Sequence, residues 1–221
     1  MSAADKSDSS LRRWIRSRLK RLDDRGVAIV EMAIVAPFLM FVAAGVMEFG
    51  LLWRDNLTAT TSTRAAARIV SNLGSDAGAD REALIALGAG LRPATNFTIE
   101  GVLIYSATAS SDGAPPAACF DPSDEPQGAA GLCNYYSSAQ LEAALVCATT
   151  GVGCDPFDTC TGLNPVADFC PTTRNDDQAS AAPLDSVGVW VRIQRDYVTG
   201  LLPGDGMTIE DFTVMRVEPA N

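Results

Sequence analysis

Between Arg25 and Arg54 lie 28 residues, Gly26 to Trp53 (GVAIVEMAIVAPFLMFVAAGVMEFGLLW), whose only charges are Glu31 and Glu48. In hydrocarbon every peptide group has to be satisfied within the chain, and for a single segment that means an α-helix. At about 1.5 Å per residue the run reaches roughly 40 Å, more than the roughly 30 Å of a bilayer core. Pro37 sits inside it and predicts a modest kink, tolerated in lipid. Nothing stops the helix at Trp53. Residues 54–73 hold neither Pro nor Gly and carry a thin apolar stripe of Leu57, Ala65, Ile69, Val70 and Leu73. Gly74 supplies the stop. The expected helix runs from about Gly26 to Leu73, and its polar second half, marginal alone, has to pack on the domain C-terminal to it.

Charge sets the expected orientation. Residues 1–25 carry eight Lys/Arg and four Asp/Glu, whereas residues 54–221 carry nine and 21. The basic side belongs in the cytoplasm. The acidic body lacks the clustered cations a nucleic-acid surface needs. Within the head of the chain, LRRWIRSRLKRL (residues 11–22) sets apolar residues along one helical face and Arg/Lys on the other. It serves either as a plain topological flank or as a contact with anionic lipid. The apolar run is too long for a removable secretory signal.

Past a polar link at 75–80, Asp80 is placed to cap a short helix from Arg81 to about Leu87. Pro93 marks the next boundary. Residues 97–106 (FTIEGVLIYS) read as a strand whose alternation slips at Gly101. Residues 107–185 are irregular apart from a helix over 138–149 with a Ser cap. Residues 187–195 alternate as a strand with one buried face. Residues 201–206 (LLPGDG) have strong turn chemistry, and 208–218 form the partner strand. The expected sheet has three antiparallel strands, with the long helix across one face.

All six cysteines, Cys119, Cys133, Cys147, Cys154, Cys160 and Cys170, fall in this acidic half. An oxidising compartment and an even count point to three disulfides, whose pairing spacing does not fix. Zinc is disfavoured, since there is no Cys-x-x-Cys and no histidine in the chain. Without histidine there is no Ser-His or Cys-His pair, and no phosphate loop or metal-ligand cluster occurs, so neither a catalytic site nor a cofactor is expected. The carboxylate pairs Asp121/Asp124 and Asp155/Asp158 fit no calcium loop and read as exposed acidic turns.

Gly26 and Glu31 are the informative pair. A carboxylate one and a half turns into an apolar helix is costly and needs a partner, unless it snorkels to the interface. An α-amino group freed by cleavage after Gly26 would be such a partner, because it is largely protonated near neutral pH. In a helical stack, Glu31 of one chain would face the Val27 amine of the next and fix the axial register. The small residues Ala33, Ala36, Ala43, Ala44 and Gly45 serve either close helix approach or a plain lipid-facing surface.

The set Arg25-Gly26, Val30-Glu31, the Ala-Ile-Val-Ala-Pro run ending at Pro37, Glu48-Phe49-Gly50 and Arg64-Ala65-Ala66-Ala67-Arg68 resembles the N-terminal signature of the TadE/TadG-like family. These are minor pilin-like components of the tight-adherence (Tad) pilus system. The terminal Val214-Met215-Arg216-Val217-Glu218 is also similar to family C-termini. Met32 stands where members commonly have Phe or Tyr. The resemblance implies that a prepilin peptidase cuts between Gly26 and Val27, that Glu31 is the glutamate of the cleavage motif, and that the product joins or primes a type IVc pilus. It covers about residues 25–70 and does not extend to the cysteine-rich middle.

The expected architecture is α+β and pilin-like: a cytoplasmic leader (1–26), a transmembrane helix (27–53), its extracytoplasmic continuation (54–74) and a head (75–221) with a cysteine-rich region (119–170). The expected role is a minor pilin or pseudopilin in adhesion or surface attachment, working through assembly with other pilin-like subunits and the Tad platform at the inner membrane. The alternative is an uncleaved single-span adhesion protein with a disulfide-rich recognition head.

Overall fold

The computed structural model describes the backbone of residues 3–92, 97–109, 112–154, 157, 169–200, 204 and 206–219, with side chains from residue 26 onward. The chain divides into two compact units, residues 1–49 and 50–221. Helix α1, Ala3–Leu73, is longer than expected because it begins upstream of the apolar run. Residues 11–22 are rich in Leu, Arg and Lys, which favour helix, and nothing between them and Gly26 breaks it. Pro37 lies inside α1 without ending it. The end comes at Gly74, whose φ of +53° is the left-handed conformation a glycine adopts without cost. Its amide donates to the Val70 carbonyl at 3.0 Å.

In the second unit α1 is succeeded by α2 (Ala79–Leu91), β1 (Phe97–Ser106), β2 (Cys133–Tyr136), α3 (Ser138–Thr150), β3 (Ser186–Asp196) and β4 (Gly206–Arg216). The sheet is antiparallel in the order β2-β1-β3-β4. It has four strands where three were expected. β2 is only four residues long, too short for alternation to announce it, and it exists by pairing with Val102–Tyr105 of β1. The slip at Gly101 is a bulge, with the β1–β3 register shifting between Ile99 and Gly101. One extra residue flips the parity, so Phe97 and Ile99 face the same core as Val102 and Ile104.

That core lies between the sheet and the two helices. Val187, Val189, Val191 and Ile193 of β3 meet Ala59, Ala66, Ala67 and Val70 of α1 and the leucines of α2. Small side chains on α1 let the backbones approach. At the α1–α2 crossing, a Cβ on Gly90 would sit 2.4 Å from Ser62 Oγ, so only glycine fits. The opposite face, with Leu103, Tyr105 and Trp190, is covered by Ala107, Cys119, Phe120, Ala129 and Leu132. The Phe120 ring stands edge-on to Trp190 at 5.3 Å, and the Tyr105 hydroxyl donates to the Gly113 carbonyl at 2.6 Å. Burial, and then the charge of Asp112, push the Tyr105 phenol upward.

Two disulfides staple the region that has little regular structure. Cys119–Cys133 ties the covering segment to β2, and Cys147–Cys154 closes the turn after α3. Cys170 is also disulfide-bonded. Cys160 lies outside the described residues, as do Asp155, Asp158 and Pro93. Helix α3 starts at Ser138 from a capping box between Ser137 and Gln140, the expected Ser cap, and stops at Gly151 with φ +69°.

Asp80 does not cap α2. The N-cap is Gly78, without a side-chain bond, and Asp80 is fully buried inside the helix. Its carboxylate accepts from Arg174 Nη2 at 2.5 Å and from the Tyr136 hydroxyl and Asn134 Nδ2 at 2.8 Å each. Asn134 and Arg174 also donate to the Phe169 carbonyl, and the Arg174 guanidinium lies over the Phe169 ring. Arg174 Nε and Nη1 meet no acceptor among the described residues. Burial, then the adjacent Asp80 charge, pushes the Tyr136 phenol far upward. Removing one member of a buried ion pair strands the other charge. Asp80→Ala is therefore expected to destabilise the head by about 3–5 kcal/mol, read by urea denaturation of the detergent-solubilised chain. A change within experimental error would mean that the network does not hold residues 169–174 in place.

Candidate functional site

The apolar surface of α1 is the candidate site, and it is divided between the two compact units at residue 50. In residues 26–49 nearly every large side chain is exposed: Ile34 and Met40 exceed 70%, and Phe38 and Phe41 exceed 50%. The helix is long and apolar enough to cross a membrane and none of its most apolar window is buried. Of the two carboxylates between Gly26 and Trp53, Glu48 is buried and Glu31 is exposed. Glu31 is thus the one exposed ionisable group of that stretch. Val27 is 55% exposed, and nothing lies within 4 Å of where a Cβ on Gly26 would be. The Gly26–Val27 peptide and Glu31 are on the same open helix, five residues apart, a little under one and a half turns.

From residue 50 onward α1 is a wall of the head, fixed by polar contacts that sequence reading did not find. Asp55, one residue past Arg54, forms a buried ion pair with Arg195 near the end of β3. Thr60 and Thr63 donate to the Asp211 carboxylate of β4. At the top, Ser71 Oγ donates to the Arg216 carbonyl at 2.5 Å, and the Glu218 amide returns to the Ser71 carbonyl at 2.8 Å. The Asp55–Arg195 partners are 140 residues apart, so no local pattern announces them. The one hint is a charge just past the end of an apolar run, which reads equally well as a solvated helix surface.

This packing explains the Arg64-Ala-Ala-Ala-Arg68 block. Ala66 and Ala67 are buried against the sheet, where a larger side chain would push the helix away. Arg64 and Arg68, one turn apart, are exposed on the outer side. Beyond Gly74, the Asp176 carboxylate accepts from the Ser75 amide at 3.0 Å and clamps the end of the helix. No group of His, Cys, Asp and Glu able to hold a metal occurs among the described residues. Asp121 instead accepts from the Ser123 and Glu125 amides, which makes its acidic turn self-contained, and Asp124 pairs with Arg192.

A membrane-length helix that becomes one layer of a small antiparallel α+β head is the build of a pilin-like subunit. The family comparison agrees for the helix: residues 26–68 match the family model described as TadE-like protein. No curated protein and no solved structure matches the chain. The matched stretch takes in both parts of α1, the apolar surface with Glu31 and the wall that carries Asp55, Thr63 and Ala66-Ala67.

Two outcomes are expected. Asp55→Ala removes the carboxylate from a buried ion pair with Arg195, and should cost about 3–5 kcal/mol in head stability without changing membrane insertion. Denaturation and carbonate extraction of the same preparation test both halves. For Asp176, the hydrogen bonds from Ser75 hold the carboxyl below its ordinary value. A depressed carboxylate contributes stability that is complete above the unfolded value of about 3.9 and disappears as pH falls through the folded one. The stability gap between the wild type and Asp176→Asn should therefore be present near neutrality and close in acid. A gap that stays constant in acid would contradict the clamp.

Proposed function

We propose that this protein is a minor pilin or pseudopilin-like component of a Tad (type IVc) pilus system, acting in adhesion or surface attachment through assembly and not through catalysis. One observation carries the reading: the first part of the TadE-like stretch, Gly26 to Trp53, is an open apolar helix with Glu31 as its one exposed charge. Such a surface is suited first to lipid and then to other helices, whose packing depends on close fit and on pairing the few polar groups present.

In this reading residues 1–26 form the cytoplasmic leader, 27–53 cross the inner membrane, 54–74 continue the helix outside, and 75–221 complete the extracytoplasmic head. A prepilin peptidase cuts between Gly26 and Val27. The new Val27 amine of one subunit pairs with Glu31 of its neighbour. An axial slip of the helices breaks that pair in an apolar surrounding, so the pair selects the register. Pro37 gives α1 a bend within the span. The assembly platform and the other pilin-like subunits are the partners.

Intact mass and terminal sequencing of protein from membranes and from sheared surface material test this reading. A mature chain starting at Val27 is the expected result. A chain that keeps its leader and stays in the membrane fraction would point instead to a permanently anchored adhesion protein with the disulfide-stapled head as its recognition surface. Glu31→Ala is expected to insert normally and to fall at least tenfold in surface filaments, read by immunoblot of sheared fractions. Unchanged incorporation would sink the register pair.

A further inference from the structure

The head has a lower end, and its contacts define it. Going up α1 from Asp55 through Thr63 to Ser71, the partners are Arg195, Asp211 and Arg216 in turn. Since Arg195 pairs with Met207 across the β3–β4 ladder, β4 climbs alongside α1 in the same sense and β3 descends towards the end where Asp55 lies. Asp55 is two residues past Trp53, the last residue of the apolar run. Met207 is therefore level with the point where α1 leaves the apolar stretch, and Val198, three residues beyond Arg195, lies at that level or below it.

Exposed apolar side chains concentrate at this end. Among the described residues from 50 onward, seven large apolar side chains are exposed, and four of them are Trp53, Leu57, Val198 and Met207. Trp53 is 61% exposed, Val198 47% and Met207 49%. Their neighbours Arg54 and Asp196 are exposed and charged, and Tyr197 adds a second aromatic ring. Aromatic rings mixed with apolar and charged groups suit the headgroup layer, where one end of a side chain is dry and the other wet. An exposed Asp196 sets the depth at the headgroups, because a carboxylate in hydrocarbon is costly.

We propose that the β3–β4 end of the head, around Val198 and Met207, is a second membrane contact that docks on the phospholipid headgroup layer beside the span. This rests on the reading of Gly26–Trp53 as a bilayer span. The buried Asp55–Arg195 pair holds that edge level with Trp53, inside the same compact unit.

The test uses the full chain in vesicles of phosphatidylethanolamine and phosphatidylglycerol, with a photoreactive benzophenone amino acid placed in turn at Val198, Met207, Phe41 and Val152. Phe41 lies in the apolar run. Val152, 71% exposed, comes just after α3, whose Cys147 and Ala148 lie by Arg81 and Glu82 near the start of α2, away from Asp55. Phospholipid adducts, identified by mass, are expected at Val198 and Met207 severalfold above Val152. Adduct yields at both positions no higher than at Val152, with strong labelling at Phe41, would overturn the docking edge and leave the span intact. Cross-linked dimers in place of lipid adducts would overturn it in favour of a second copy of the chain. Failure at Phe41 would remove the span and this proposal with it.

Discussion

Arg195 and Asp55 meet in a dry place, and the head is organised around that meeting. An apolar helix has no reason to stop at a membrane surface and no reason to hold a sheet. Within a few residues α1 changes from a rod whose side chains face outward to a wall whose alanines are buried. A buried ion pair costs desolvation and is weak evidence of stability by itself, but it is directional, because sliding Asp55 away from Arg195 breaks it. It fixes the sliding of β3 along α1. Thr63 with Asp211 and Ser71 with the Arg216 carbonyl repeat the constraint higher up, so the apolar face between them meets in one register.

The rest of the head solves a different problem. Long stretches between β1 and β3 have too few apolar residues to build a core, and the cost of ordering backbone has to be offset otherwise. Two devices do so. Disulfides shorten the accessible unfolded chain around residues 119–133 and 147–154. The Asp80 carboxylate gathers Arg174, Tyr136 and Asn134 and so draws the segment after residue 169 onto α2 and β2. The disulfides close loops of 14 and 7 residues, while the Asp80 network joins points as far as 94 residues apart.

That division also explains which parts of the molecule could be read in advance. The long helix, β3 and β4 were legible because each obeys a local rule: unbroken apolarity, alternation, or turn chemistry at their ends. The bulge left its trace as a slip at Gly101. β2 was not legible, since four residues carry no period. Asp80 was misread as a cap because a carboxylate near a helix start is ordinarily that, and its deciding partner Arg174 is 94 residues away. The same holds for Asp55. The pairing of the cysteines is open among many choices by spacing, and the fold brings four of them together as Cys119–Cys133 and Cys147–Cys154.

β4 closes the sheet on one side and, among the described residues, pairs only with β3. An eleven-residue strand with a free edge is a template for another strand, and two copies meeting there would join antiparallel. The midpoint of Gly206–Arg216 is Asp211, so the symmetric pairing sets Asp211 against Asp211 with Glu210 beside each. Facing carboxylates repel across a ladder. Those facing carboxylates work against sheet-to-sheet fusion through this edge.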